Sequence, residues 1–286
     1  MLQFNKILFP LDYSEDCRAL VPYVNEAALR FSSKLILLHA LDGGLHFPGE
    51  SGPLTESMEN LRNLEENRLR DFATGHFAGV ANVETLLETG DPATVIRGMI
   101  QHAGIDLVMM PTKGLGTFRR LLLGSVTSKV LHDVHCPVWT GVHSALGTSA
   151  DHLPCRSILC AVGLDQETPG ILKTAAAMAQ SCETRLSILH VVETPPMSFE
   201  IDFAQFRKEL MDNADLELRG MLRTAAIDAE LIVLAGAPAP EVSREALKQQ
   251  ADLIIVGRGH DQGRIDRMFS QLYEIVREAP CPVLSV

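Results

Sequence analysis

No apolar run in this 286-residue chain reaches the ~18 residues that a membrane-spanning helix requires. The opening Met1-Leu2-Gln3-Phe4-Asn5-Lys6 lacks the apolar core of a signal peptide. Both absences lead us to expect a soluble, cytoplasmic protein with no membrane partner. A basic surplus is also missing: residues 1–150 hold 12 basic against 16 acidic side chains and residues 151–286 hold 13 against 20, for a net charge of −11. Without a basic stripe in either half, nucleic acid is not an expected partner. The six cysteines contain no C-x-x-C pair, so buried, reduced thiols are expected rather than disulfides. His132, His135, Cys136, His143, His152 and Cys155 crowd the middle of the chain, yet Pro137 breaks the helix that would align His132 with His135. No further ligand follows at a zinc spacing, and no metal site is expected. Neither the Walker pattern G-x4-G-K-[ST] nor the dinucleotide fingerprint G-x-G-x-x-G occurs.

What the chain does have is an ordered alternation of apolar strands and amphipathic helices. Lys6 to Asp12 reads as a strand ending in Asp, and Ser14 as the cap of a helix carrying Leu20, Val24, Ala27, Ala28 and Phe31 at helical spacing. A second strand, Lys34 to Ala40, and a polar Gly/Pro loop lead to a helix with Met58, Leu61, Leu64, Leu69 and Phe72 assigned to one face. Val83 to Leu87 is a third strand. Gly90-Asp91-Pro92 then sets an acidic cap and a first-turn proline before the helix Ala93 to His102. Asp106 to Met110 and Pro137 to Thr140 are the fourth and fifth strands. Residues 144–154 lose all periodicity and read as a linker.

After that linker the pattern restarts. Ile158 to Val162 answers Ile7 to Leu11, and Arg185 to His190 answers Lys34 to His39, both at an offset of 151. Asp252 to Val256 answers Asp106 to Met110, and Cys281-Pro282-Val283 answers Cys136-Pro137-Val138. Matches in order with slowly drifting offsets signify an internal duplication. The expected fold class is therefore α/β: domains at 1–143 and 155–286, each a parallel sheet with helices on both faces.

The clearest chemistry lies between Met110 and Thr127. A buried strand ends at Met110, Gly114 follows, and Gly124-Ser125 opens a helix continued by Val126, Val130, Leu131 and Val134. A helix start offers unpaired N–H groups, a positive dipole end and here a hydroxyl, which together suit a phosphate. Glycines let a phosphate approach the main chain, although a ligand-free capped loop would use the same residues. The spacing Gly114-x9-Gly124-Ser125 resembles the nucleotide loop of the universal stress protein family, G-x2-G-x9-G-[ST]. Pro111 stands where that pattern has its first glycine and removes one N–H. Strand one closing on Pro-x-Asp, strand two on Leu-His-Ala, and Cys-Pro-Val on the last strand extend the resemblance over nearly the whole chain, in the family's tandem form.

The resemblance implies two doubly wound domains, each a five-stranded sheet of order 3-2-1-4-5, with ATP in the crevice where the order reverses. It assigns adenine and ribose contacts to Pro10, Leu11, Asp12 and Ala40, with Met110 beside the loop, and phosphate contacts to Gly114, Gly124, Ser125, Val126 and Thr127. The second half departs at those positions, with Gly163 for Asp12, His260 for Gly114, Ser270 for Gly124 and Gln271 for Ser125, though Gly257 keeps the glycine that Pro111 replaces. One ATP per chain, in the first half, is thus expected, with other adenine nucleotides and magnesium left open. The family also implies an intramolecular pseudo-dimer of the halves, with homodimerisation and the protein partner undetermined. A stress-response binding module is the expected function. A slow ATP hydrolase and a nucleotide-free interaction module are the alternatives, the first lacking a recognisable water-activating base.

Overall fold

Residues 3–41, 54–113, 123–141, 156–193, 203–258 and 265–286 are described by a computed structural model. The chain divides into two compact units, residues 3–153 and 154–286.

In the first unit, β1 (Lys6–Leu11), α1 (Glu15–Arg30), β2 (Lys34–Leu41), α2 (Leu54–His76), β3 (Val83–Thr89), α3 (Pro92–Ala103), β4 (Leu107–Met110), α4 (Ser125–Asp133) and β5 (Val138–Thr140) follow in turn. The strands are all parallel, in the order β3-β2-β1-β4-β5. Ile7, Leu8, Leu107 and Val108 lie wholly inside, as central strands covered on both faces require. α1 packs on β1 and β4, α2 on β2 and β3, and α3 on β2 and α4.

The second unit repeats this with β6 (Ser157–Ala161), α5 (Thr168–Cys182), β7 (Arg185–Glu193), α6 (Phe203–Thr224), β8 (Glu230–Gly236), α7 (Pro238–Gln249), β9 (Leu253–Val256), α8 (Ile265–Glu278) and β10 (Val283–Ser285). Its order, β8-β7-β6-β9-β10, is the same 3-2-1-4-5 arrangement.

Local signals account for the element ends. Ser14 Oγ accepts from Cys17 N at 3.1 Å and caps α1. Asp91 accepts from Thr94 N at 3.0 Å and caps α3, with Pro92 in the first turn, where its missing N–H costs nothing.

Two expectations need correcting. Leu64 is 62% exposed, so the inward stripe of α2 does not include it. Leu69 and Phe72 are buried, and one turn before Leu69 the stripe reaches Glu65, whose side chain is 14% exposed. The cysteines are also not all thiols. Cys17, Cys136, Cys160 and Cys281 are free, whereas Cys182 is disulfide-bonded. Among the described residues no helix is long and apolar enough to cross a membrane.

Candidate functional site

At the carboxyl end of the first sheet the strands part. β1 pairs with β4 only at Ile7–Leu107 and Leu8–Val108, yet runs on to Leu11 beside β2. Pro10, with no N–H to donate, falls in the stretch beyond the β4 pairing, where a ladder bond is not demanded of it. The separation leaves a crevice of about 520 Å³. Such a place, where the strand order reverses, is the general ligand position of doubly wound sheets.

Three strands and two helices supply its walls. Pro10, Leu11 and Asp12 come from the end of β1, Leu38, His39 and Ala40 from β2, and Met110, Pro111 and Lys113 from β4 and beyond. The first two turns of α3 add Pro92 and Ile96, and the start of α4 adds Leu123 to Thr127. Nine of the ten residues expected to contact a nucleotide therefore surround one cavity. The tenth, Gly114, lies outside the described residues. Leu38, His39, Pro92, Ile96 and Leu123 were not among them. The periodicity that marks β2 and α3 does not say which of their residues will face a gap between strands.

The start of α4 is held close to the strand it follows. Gly124 N donates to the Thr112 carbonyl at 2.8 Å, and Thr127 Oγ1 donates to the Pro111 carbonyl at 2.9 Å. A Cβ on Gly124 would stand 3.3 Å from Thr112 O and 3.4 Å from Lys113 Cα, so a side chain there would press on main chain. Gly124 is the N-cap and brings no side-chain hydrogen bond. The first intrahelical bond within this turn is Ser128 N to Gly124 O. The N–H groups of Ser125, Val126 and Thr127 have no acceptor within the helix, and these residues border the cavity. Partial positive charge thus gathers at one end of a cavity whose other walls, Leu11, Leu38, Ile96 and Met110, are apolar. Asp12 is the carboxylate there. Its Oδ1 accepts from Ser14 N at 3.0 Å and from Ser14 Oγ at 2.6 Å, which fixes its orientation.

The model of the universal stress protein family matches residues 3–140 and again residues 154–286. The chain belongs to this family. A curated protein of Staphylococcus haemolyticus named for the same family is 29% identical over 140 residues, 48% of this chain and 84% of its own. Among solved structures, a universal stress protein from Archaeoglobus fulgidus covers 99% of this chain and 96% of its own, with TM-score 0.71 and 19% identity. One from Pseudomonas aeruginosa named for the family covers 99% and 93%, with TM-score 0.64 and 17% identity. These two likenesses concern the fold.

The two universal stress protein domains differ at the loop after the fourth strand. Gly257 occupies the Pro111 position, and a Cβ there would lie 2.2 Å from Ile171 Cδ1. Close packing against α5 accounts for this glycine without any ligand. Arg258, in the place of Thr112, is 1% exposed, with Nε donating to Ser285 Oγ at 3.1 Å and a terminal nitrogen to Ser285 O at 3.0 Å. Gln271, at the Ser125 position, donates to Glu193 Oε1 at the end of β7. His260 and the side chain of Ser270 lie outside the described residues.

Proposed function

We propose that the first domain binds an adenine nucleotide, ATP foremost, in the crevice between β1 and β4, and that occupancy regulates the chain. The observation that carries this reading is the α4 start. Three N–H groups without an intrahelical acceptor, the hydroxyl-bearing Ser125 and a glycine with no room for a side chain border one end of a largely apolar cavity. Phosphates suit the α4 end, the base the apolar walls, and Asp12 a ribose hydroxyl. Binding of this kind stabilises the folded chain by about 2.7 kcal/mol at a ligand concentration of 100 Kd.

Pro111 weakens the phosphate grip without removing it, because a single neutral hydrogen bond is worth only ~0.5–1.5 kcal/mol net. Binding is preferred to turnover because Asp12, the carboxylate lining the described crevice, is already held as an acceptor by Ser14. Calorimetry with ATP, with and without magnesium, tests the reading. We expect one equivalent per chain, lost in Gly124→Asp with the fold retained. No heat with any adenine nucleotide would leave a nucleotide-free interaction module, and steady phosphate release would make it a hydrolase.

Two family domains in one chain supply what two chains supply to a dimer, and we propose an intramolecular pseudo-dimer. A single cooperative thermal transition is expected, and two well-separated transitions would contradict it. A cytoplasmic location is proposed from the absence of a membrane-crossing helix among the described residues and from the acidic charge balance.

A further inference from the structure

His39 forms part of the crevice wall at the end of β2. Its Nδ1 lies 2.7 Å from the Leu11 carbonyl oxygen. A carbonyl can only accept, so Nδ1 carries the proton, and in the neutral ring Nε2 is a bare acceptor. That Nε2 faces Glu65 Oε2 across 3.9 Å. Glu65 Oε2 is itself buried without a hydrogen-bond partner. A buried, unpartnered carboxylate oxygen thus stands opposite the bare ring nitrogen at the junction of α2 and the crevice, and a proton on Nε2 would set an imidazolium against it.

Among the described residues, the second domain shows no such carboxylate beside its histidine. His190 in the second domain repeats the bond, with Nδ1 2.9 Å from the Val162 carbonyl oxygen. The buried stripe of α6, however, is Ala214, Leu218 and Leu222. The histidine bond to the end of the first strand is therefore a structural tie common to both halves, whereas Glu65 stands beside the crevice described in the first domain.

We propose that His39 and Glu65 form a proton-operated latch that joins α2 to the crevice wall and tightens the site for an anionic ligand as pH falls. The coupling to ligand rests on the nucleotide reading above; the latch itself does not. With the proton absent, the Glu65 Oε2 that α2 turns toward His39 stays buried and unpartnered. With it present, imidazolium and carboxylate attract, and positive charge is added to a crevice wall that already includes Lys113.

The other groups around the pair are compatible with this. Arg68 on α2 lies 3.5 Å from Glu65 Oε1 and stacks 3.9 Å over the Tyr13 ring, which sits 4.9 Å from the His39 ring. The Tyr13 phenol, pushed up to about 12 first by burial and then by Glu65, stays neutral. Asp12 is held by Ser14, and β3 presents uncharged Leu87 opposite His39.

Two measurements on the full chain decide the matter. In ligand-free protein, proton NMR should show a slowly exchanging His39 Nε2–H resonance at pH 6. It should be absent at pH 8 and absent at pH 6 in Glu65→Ala. Separately, the ratio of ATP dissociation constants at pH 8 and pH 6, a range spanning imidazole titration, should fall at least threefold from wild type to Glu65→Ala. That comparison cancels the titration of ATP itself. Should Glu65→Ala fail to fold, Glu65→Gln replaces it in the affinity comparison. An Nε2–H resonance missing from wild type at pH 6, or unchanged in Glu65→Ala, overturns the latch. A pH ratio unmoved by the substitution overturns its coupling to the site. Absence of ATP binding at both pH values refutes the nucleotide reading, and the resonance then decides the latch alone.

Discussion

The Thr127 hydroxyl is a single atom on which the geometry of the α4 start depends. It donates to the Pro111 carbonyl from a side chain that is 3% exposed. Thr127→Val keeps the shape and removes the donor, leaving a buried carbonyl unpaired. A loss of about 1–3 kcal/mol in urea unfolding is expected, with ATP affinity reduced as the helix start loosens. A destabilisation below experimental error would show that the loop is held by other bonds. Gly257 in the second domain presents the opposite problem, too little space rather than a needed bond. Gly257→Ala must displace buried Ile171, and overpacking of this kind costs about 1–3 kcal/mol. Ile171→Val removes the methyl group that would stand 2.2 Å from the new Cβ, so the double variant should recover most of the loss. Strictly additive losses would contradict the packing explanation. The sequence displays Gly257 as a remnant of a phosphate loop, because α5 and β9 are far apart along the chain and their contact is invisible in it.

Among the elements, α3 shows how much a terminus can carry. Asp91 caps it through Thr94 N and also lies 3.2 Å from Lys129 Nζ on α4, so one carboxylate ties together the two helices that border the crevice. The Thr94 backbone bond, then Lys129, holds the Asp91 carboxyl below its ordinary value. A folded-state value lowered in this way favours the native state above the ordinary carboxylate range and loses that contribution as pH falls through the depressed value. Asp91→Ala should therefore cost about 0.5–2 kcal/mol at pH 7, mostly the lost cap, since the ion pair is largely exposed. The gap between variant and wild type should narrow below about pH 4. A gap that is constant from pH 7 to pH 3 would mean that the charge is irrelevant to the cap. The helix α2 carries the contrary lesson about elements. Its apolar pattern signals a helix, but assigning Leu64 to the buried face placed the stripe wrongly, and Glu65 turns inward instead. Along its described length α2 is mostly polar, and which side faces in is settled by the β2 and β3 surface it lies on.

For the molecule as a whole, the duplication makes a sharp expectation possible. Hydrogen exchange with and without ATP should show added protection at the end of β1, at β4 and at the first turn of α4, and little at β6, β9 and α8. Equal protection in both halves would remove the proposed asymmetry. The sequence by itself determined the strand–helix alternation and the repeat near residue 150, and its resemblance to the universal stress protein family pointed to nine of the residues around the crevice. The first two follow from local physics: runs of apolar residues must be covered, caps and prolines act within a turn, and a duplicated pattern repeats its fold. The tertiary structure alone decided that β1 outruns its pairing with β4 and so opens a cavity, and that His39 and Ile96 face it. It also decided that Arg258 is bound to Ser285, and that Glu65 meets His39. Each of those contacts joins segments distant along the chain. Its occurrence depends on where two packed surfaces come to rest, which no spacing within either segment encodes.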